Sequence, residues 1–182
     1  MTARDDLLSR AVAWFTENGI GDTSLRAIAS GLGTSHRMLI YHFGSREGLL
    51  TAVVEHVEQR ERDLLAQLVT AGDDPYDAGL RFWTQVADTA STFAPLYFEL
   101  SGHAMQGRAH AGLLRDWLAE GWTDALTGLF VAAGHAPDRA ADLVRMSLAM
   151  ARGLLFDVAI TDDRAAADRA MAEFVDLLPR PS

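Results

Sequence analysis

Residues 23–46 form the stretch of this sequence whose side chains have the most specific chemistry. The stretch contains no aspartate or glutamate, and its arginine and histidine side chains are Arg26, His36, Arg37, His42 and Arg46. It therefore carries a charge of +3 in a protein whose formal net charge is −9. Arginine binds phosphate oxygens and the edge of guanine, so this composition predicts a contact with nucleic acid. Solvated arginines on an ordinary helical hairpin are the alternative.

Two short helices are predicted to position these side chains. The first has one apolar face with the i, i+3, i+4, i+7 spacing of a buried helix side, formed by Leu25, Ile28, Ala29 and Leu32. We expect Thr23 to cap this helix, because its hydroxyl can accept an unpaired N–H group at the helix start. Gly31 and Gly33 are expected to end it, since glycine reaches the left-handed conformation of a helix stop.

The second helix is predicted to begin after Thr34 or Ser35, either of which can cap it. Its buried side is expected to consist of Met38, Leu39 and Phe43. From about residue 35 to residue 42 the helix would be about 12 Å long, which fits a DNA major groove about 12 Å wide. A short helix, a glycine turn and a second short helix make a helix-turn-helix.

These residues resemble the DNA-binding domain of the TetR/AcrR family of bacterial transcriptional regulators. The resemblance covers residues 7–55 and rests on the order and spacing of four blocks, Thr23-Ser24-Leu25-Arg26-Ala27-Ile28-Ala29, Gly33-Thr34-Ser35, Leu39-Ile40-Tyr41-His42-Phe43 and Ser45-Arg46-Glu47-Gly48-Leu49-Leu50. Two positions depart from the family pattern. Ile40 stands where a tyrosine that contacts a phosphate is usual, and Met38 stands where a small polar residue that faces DNA is common.

The resemblance implies an all-α protein with two functional parts. Residues 1–46 would be a three-helix, helix-turn-helix DNA-binding domain, and residues 47–182 a helical bundle that binds a ligand and dimerises. Such a protein regulates transcription, more often as a repressor, by binding a palindromic operator in double-stranded DNA as a homodimer. A small apolar or aromatic effector of unknown identity would change its affinity for the operator.

The DNA contacts that the resemblance implies fall into two groups. Phosphates would be held mainly by Thr23, Ser24, Tyr41, Ser45 and Arg46, assisted by N–H groups at the helix starts. Base edges would be read by His36 and Arg37, because arginine on guanine is the commonest specific contact. The remaining candidates for this surface are Arg26, Thr34, Ser35 and His42.

The rest of the chain is also predicted to be helical. The first helix should bury Leu8, Ala11, Val12 and Phe15 and end at Asn18-Gly19. A long helix is expected from about Arg46, and a further helix from about Pro95 to Gln106. Residues 108–134 are predicted to form one long helix, and two more helices are predicted at about 138–160 and 164–178.

Aromatic and sulfur-containing side chains are spread along the C-terminal part of the chain. In a helical bundle such residues usually fill the core, whereas the family resemblance implies that some line a ligand cavity. The candidates for that cavity are Trp83, Phe93, Tyr97, Phe98, His103, Trp117, Trp122 and Met150.

The last two helices are expected to form the dimer interface. Their apolar residues exceed what a small domain must bury internally, and they are Leu143, Met146, Ser147, Met150, Leu154 and Phe156 with Met171, Phe174, Val175 and Leu178. Burial of this whole set inside one protomer is the alternative. A dimer would place two recognition helices on a palindrome.

Charge and composition limit the other possibilities. Residues 1–50 carry five arginines and five acidic residues, whereas residues 51–182 carry eleven and twenty, so a neutral head joins an acidic body. No segment is apolar enough to suggest a membrane span, and Asp5 and Asp6 argue against a secretory signal. A cytoplasmic protein is therefore expected.

An enzyme is not expected, because the sequence contains no cysteine and no motif of a hydrolase, metalloprotease or nucleotide-binding enzyme. Glu99, His103 and His110 are the best metal-ligand candidates, but an exposed charge pair explains them better, and no metal or cofactor is predicted. A helical protein-interaction module without sequence-specific DNA binding remains the alternative function.

Overall fold

The computed structural model describes residues 2–19, 23–70, 74–112 and 122–181. These ranges contain no strand, nine α-helices and one short 3-10 helix, Ala109–Ala111. In chain order the α-helices are α1 (Ala3–Asn18), α2 (Leu25–Gly31), α3 (His36–Phe43), α4 (Arg46–Thr70), α5 (Pro75–Asp88), α6 (Ala90–Met105), α7 (Thr123–Ala132), α8 (Pro137–Thr161) and α9 (Arg164–Leu177). The predicted all-α class is confirmed. No helix in the described ranges is long and apolar enough to cross a membrane.

The chain folds as two compact units. Unit 1 consists of Met1–Gln59 and Pro95–Arg115, and unit 2 consists of Arg60–Ala94 and Asp116–Ser182. Both α4 and α6 begin in one unit and end in the other. The division of function after residue 46 stays a prediction.

The N-terminal helix forms as its sequence predicts. Thr2 and Asp5 make a capping box, in which each side chain accepts a hydrogen bond from the other residue's backbone N–H group. The apolar side of α1 is buried and contains the predicted residues Leu8, Ala11, Val12 and Phe15 together with Leu7. The helix ends at Asn18, and Gly19 takes a positive φ of 68°. The predicted face and end of α1 are therefore confirmed.

The predicted helix start at Pro95 is wrong, because α6 already begins at Ala90 and Pro95 lies inside it. Proline lacks the N–H group that would bond to the carbonyl four residues earlier, which is that of Ser91. Both Pro95 and Ser91 are exposed, so water can hydrate this carbonyl. The break between α5 and α6 is instead at Thr89, whose hydroxyl donates to the Val86 carbonyl at 3.0 Å.

The single long helix predicted over residues 108–134 is also not observed in the described part of that range. A 3-10 helix occupies Ala109–Ala111, and α7 begins only at Thr123. Residues 113–121 lie outside the described ranges. The last two helices agree with the prediction, and Asp162 ends α8 in the left-handed conformation.

Unit 2 is built around α5, α7, α8 and α9. α8 packs against α7 and α9, and α9 also packs against α5. Trp83 lies in the core that these helices enclose, and its indole N–H donates to Asp168 at 2.7 Å. Arg164 donates to the same carboxylate at 2.7 Å and to Asp88 at 2.9 Å, so one charged network joins α5 to α9.

Four residues predicted for the dimer interface lie in this core instead, namely Leu143, Met171, Val175 and Leu178. The protomer buries them itself, so they cannot form a contact surface. Other predicted interface residues lie nearer the surface, and Met146 is 49% exposed. Ile160 of α8 and Leu177 of α9, which were not predicted, are 71% and 82% exposed.

Candidate nucleic-acid interface

The α2-turn-α3 segment packs α3 against α2. Ile28 and Leu39 are fully buried, one on each helix. Gly33 takes a φ of +60°, which L side chains rarely adopt, and the chain then returns so that the Thr34 N–H donates to the Ala29 carbonyl at 2.9 Å. This geometry is the helix-turn-helix that the sequence predicts.

Serine side chains cap the helices of this segment. The hydroxyl oxygen of Ser24 accepts the N–H of Ala27 at 3.3 Å, so the predicted cap at Thr23 is wrong by one residue. The capping residue stands directly before the first helical residue, and because α2 begins at Leu25, Thr23 is one position too early. Ser35, rather than Thr34, caps α3 by accepting the N–H of Met38 at 3.2 Å.

The exposed side of α3 is centred on Arg37 and Tyr41, which are four residues apart and so lie on one line along the helix. Tyr41 is 78% exposed, and Arg37 is exposed beside it. Met38 and Ile40 flank this line on opposite sides. Met38 is 41% exposed, so its predicted place on the buried side is wrong. Leu39 and Phe43 alone occupy that side, as their spacing requires.

Arg46 is tied to its own unit rather than extended towards solvent. Its Nε donates to the Thr23 carbonyl at 2.9 Å, and its Nη1 lies 3.7 Å from Glu99 Oε1. These contacts join the start of α2 to the start of α4. Arg46 and Thr23 are both half-buried, and their predicted phosphate contacts stay predictions.

An open pocket of about 360 Å³ lies beside the C-terminal end of α3. Its lining includes Arg4, His42, Thr51 and Glu55. His42 Nε2 and Glu55 Oε1 are buried there without a hydrogen-bond partner in the described part of the chain. Burial raises the pKa of the Glu55 carboxyl, and the charge of Arg4 opposes this rise. His42, a predicted DNA contact, therefore keeps its Nε2 away from solvent.

The structure exposes some of the predicted DNA contacts and not others. The exposed ones are Ser24, Arg26, Ser35, His36, Arg37 and Tyr41. The half-buried ones are Thr23, Thr34, His42, Ser45 and Arg46. Ser45 caps α4, because its hydroxyl oxygen accepts the N–H of Gly48 at 3.0 Å.

The predicted ligand-binding residues are divided between the two units. Trp83, Phe93, Trp122 and Met150 belong to unit 2, whereas Tyr97, Phe98 and His103 belong to unit 1. Trp83 is buried, and Met150 packs against the same core. Trp117 lies outside the described residues.

Some of these aromatic residues are in ring contact. The Trp122 ring lies 5.4 Å from that of Phe82, and the Tyr97 and Phe98 rings meet edge to face at 5.1 Å. Glu99, the first of the metal-ligand candidates, is paired with Arg46. Among the described side chains, which do not include His110, no group of three could hold a metal ion.

The N-terminal part of the chain matches a known protein family. Residues 7–53 match the family model described as bacterial regulatory proteins, tetR family, and this range contains α2, α3 and the serines that cap them. This part of the chain is similar to the TetR family. Members of this family are transcriptional regulators rather than enzymes, which agrees with the prediction that the chain is not an enzyme.

A relative is similar to more of the chain than the helix-turn-helix. The transcriptional regulatory protein RaaS of Mycobacterium tuberculosis is 32% identical over 114 residues. The alignment covers 63% of this chain and 50% of RaaS, so the chain spans about half the length of that relative.

Solved structures extend the likeness to the whole fold. The TetR regulator SCO0520 of Streptomyces coelicolor has a TM-score of 0.66 at 26% identity, covering 98% of this chain and 99% of that one. FadR of Thermus thermophilus, a TetR-family repressor in complex with lauroyl-CoA, has a TM-score of 0.65 over 98% and 97% of the two chains. At 14% identity, the likeness to FadR concerns the fold alone.

Sequence reasoning missed the outward position of Met38 and the pocket residues Arg4 and Glu55. The signal for Met38 was present, because a helix that buries Leu39 and Phe43 turns Met38 about 100° away from that side. Arg4 and Glu55 lie 51 positions apart in the sequence, and no local spacing relates them.

Proposed function

We propose that this protein is a transcriptional regulator that places α3 in the major groove of DNA. The observation that carries the proposal is the exposed side of α3, where Arg37 and Tyr41 project from the helix-turn-helix. Residues 23–46 contain no carboxylate that would repel phosphate. Arg37 reads a guanine, and His36 contacts a neighbouring base edge. The free hydroxyl hydrogens of Ser24 and Ser35 reach phosphates, because capping uses only their oxygen lone pairs.

A homodimer formed through α8 and α9 brings two copies of α3 to one palindromic operator. Support comes from apolar side chains that the protomer leaves exposed on these helices, among them Met146, Ile160 and Leu177. On α8, Met146, Phe156 and Ile160 are all exposed and lie within about 80° of one another around the helix axis, and an apolar surface along one side of a helix marks a contact surface. Two recognition helices about 34–36 Å apart read half-sites one turn of DNA apart.

The C-terminal part takes a small apolar or aromatic effector that changes operator affinity, so that the protein acts as a repressor in the cytoplasm. FadR, which shares the fold, is a repressor that binds lauroyl-CoA. The aromatic residues of α5 and α7, which belong to unit 2, supply apolar surface for such a ligand. By linkage, the effector weakens DNA binding only as far as it prefers the conformation that binds DNA less well.

Fluorescence anisotropy on tiled DNA from around the protein's own gene, at two salt concentrations, tests the proposal. We expect saturable binding to one tile, weakened by salt. Arg37→Ala should reduce this affinity by about 5- to 150-fold for each half-site, the range of one lost arginine–guanine pair. Arg139→Ala, which removes an exposed arginine from the start of α8, is the matched control and should change little.

Two results would contradict the proposal. Equal weak binding to every tile would show that no operator lies near the gene. Equal effects of the two arginine substitutions would show that α3 does not read the bases. Denaturation and refolding removes any bound ligand. If the protein binds a protein partner but no DNA both before and after this treatment, the helical interaction module is favoured instead.

A further inference from the structure

The exposed side of α3 carries apolar surface that the helix-turn-helix does not need for its own packing. Leu39 and Phe43 fill the buried side, whereas the Met38 side chain is 41% exposed. Around the helix axis, Met38 lies about 60° from Tyr41 and about 100° from Arg37. These three side chains therefore form one continuous surface, with an apolar group beside the arginine.

We infer that Met38 reads a thymine through its 5-methyl group, close to the guanine read by Arg37. The inference rests on the proposed function, in which α3 enters the major groove. There, the thymine methyl is the apolar group among base edges that otherwise present hydrogen-bond donors and acceptors. If the Met38 thioether packed against polar base edges, their donors and acceptors would lose hydrogen-bond partners. If it packs against the thymine methyl group, apolar surface of both groups is removed from water.

Charge favours DNA over a protein or a second copy of the chain as the occupant of this surface. The neighbours of Met38 on the exposed side are Arg37 and Tyr41, and residues 23–46 contain no acidic side chain. The remainder of the chain is acidic. DNA, a polyanion, is therefore attracted to the positively charged exposed side of α3, and this attraction places Met38 close to the bases.

The length of α3 keeps the two contacts within one half-site. Eight residues span about 12 Å, or about four base pairs at 3.4 Å each. Methionine is flexible enough to follow the methyl group within that distance. Ile40 is also exposed but lies about 160° from Met38 around the axis, so it faces away from the base that Met38 meets.

Deoxyuridine substitution in the operator tests the inference, since it removes the thymine methyl and leaves the hydrogen-bonding edge intact. Each thymine of a half-site is replaced in turn, and affinity is measured by anisotropy for the wild type and for Met38→Ala. The wild type should lose about fourfold per half-site at one thymine, the effect of one methyl group taken from water. Met38→Ala should bind thymine and deoxyuridine equally at that position.

Two further variants separate this contact from a general effect on α3. Met38→Leu keeps an apolar side chain and should keep the sensitivity to deoxyuridine. Ile40→Ala removes apolar surface from the opposite flank and should also keep it at the same thymine. Circular dichroism checks that all variants are folded.

Failure of this inference is distinguishable from failure of the proposed function. If a single operator is bound and Arg37→Ala weakens binding as expected, but no thymine shows a loss that depends on Met38, Met38 does not read a methyl group. If Met38→Ala and the wild type lose the same affinity on deoxyuridine, another residue reads that methyl. If no operator exists, the proposed function itself is wrong.

Discussion

Glu55 lies in an environment that conflicts with its charge. Its Oε1 atom is buried without a partner in the described part of the chain, and burial raises its pKa despite the opposing charge of Arg4. Because the pKa of Glu55 is higher in the folded state than in the unfolded state, the neutral carboxyl contributes stability. This contribution is complete at pH values below the pKa of the unfolded state and is lost as pH rises through the pKa of the folded state. The ionised form therefore costs stability at neutral pH.

We expect Glu55→Gln to stabilise the protein at pH 7. This stabilisation should disappear as pH falls towards 4.5, the ordinary pKa of a glutamate carboxyl. Urea unfolding at several pH values measures the difference between variant and wild type. Glu17→Gln, on the exposed side of α1, is the control and should show no such trend. A Glu55→Gln difference that stays constant down to pH 4.5 would mean that burial does not penalise this carboxylate.

At the scale of elements, the corner between α3 and α4 leaves no room for a side chain at Gly48. A Cβ atom there would overlap the backbone carbonyl of Phe43, the last residue of α3. Backbone cannot move aside as a flexible side chain can, so α3 and α4 would have to separate. The orientation of the exposed side of α3 therefore depends on this glycine.

Gly48→Ala should lower the free energy of unfolding by about 2 kcal/mol or more, through backbone strain. Gly102→Ala is the matched control, because a Cβ in that α6 position meets nothing within 4 Å. It should raise stability by up to about 1 kcal/mol, the difference in helix propensity. Denaturant unfolding followed by circular dichroism compares them, and equal stability of the two variants would show that the corner is not close-packed.

Helix faces and helix ends were predictable from the sequence where a single local pattern determines them. The face and end of α1 and the break at residues 161–163 each follow from spacing or capping chemistry alone. The prediction failed where context decides. Pro95 is compatible with a helix because it lies on the solvent-exposed side of α6. Which side of α6 is exposed depends on contacts with residues that are distant in sequence. The same holds for the pocket beside α3, whose residues come from three helices.

At the scale of the whole molecule, the proposed homodimer depends on the exposed apolar side chains of α8 and α9. The sequence identified these two helices but could not tell which residues one protomer buries, because both sides of α8 carry apolar groups. Leu143 and Val144 face the core, whereas Met146 and Ile160 remain exposed. The exposed group is the surface that a second copy would cover.

Ile160→Asp should therefore convert a dimer into a monomer, because a carboxylate in an apolar interface loses its hydration without gaining a partner. Light scattering coupled to size-exclusion chromatography measures the mass. Met105→Asp, on the 84% exposed end residue of α6, is the control and should remain dimeric. Operator affinity should fall with the loss of the dimer, since one recognition helix then binds without its partner. A monomeric wild type, or an Ile160→Asp variant that stays dimeric and binds DNA normally, would place the interface elsewhere.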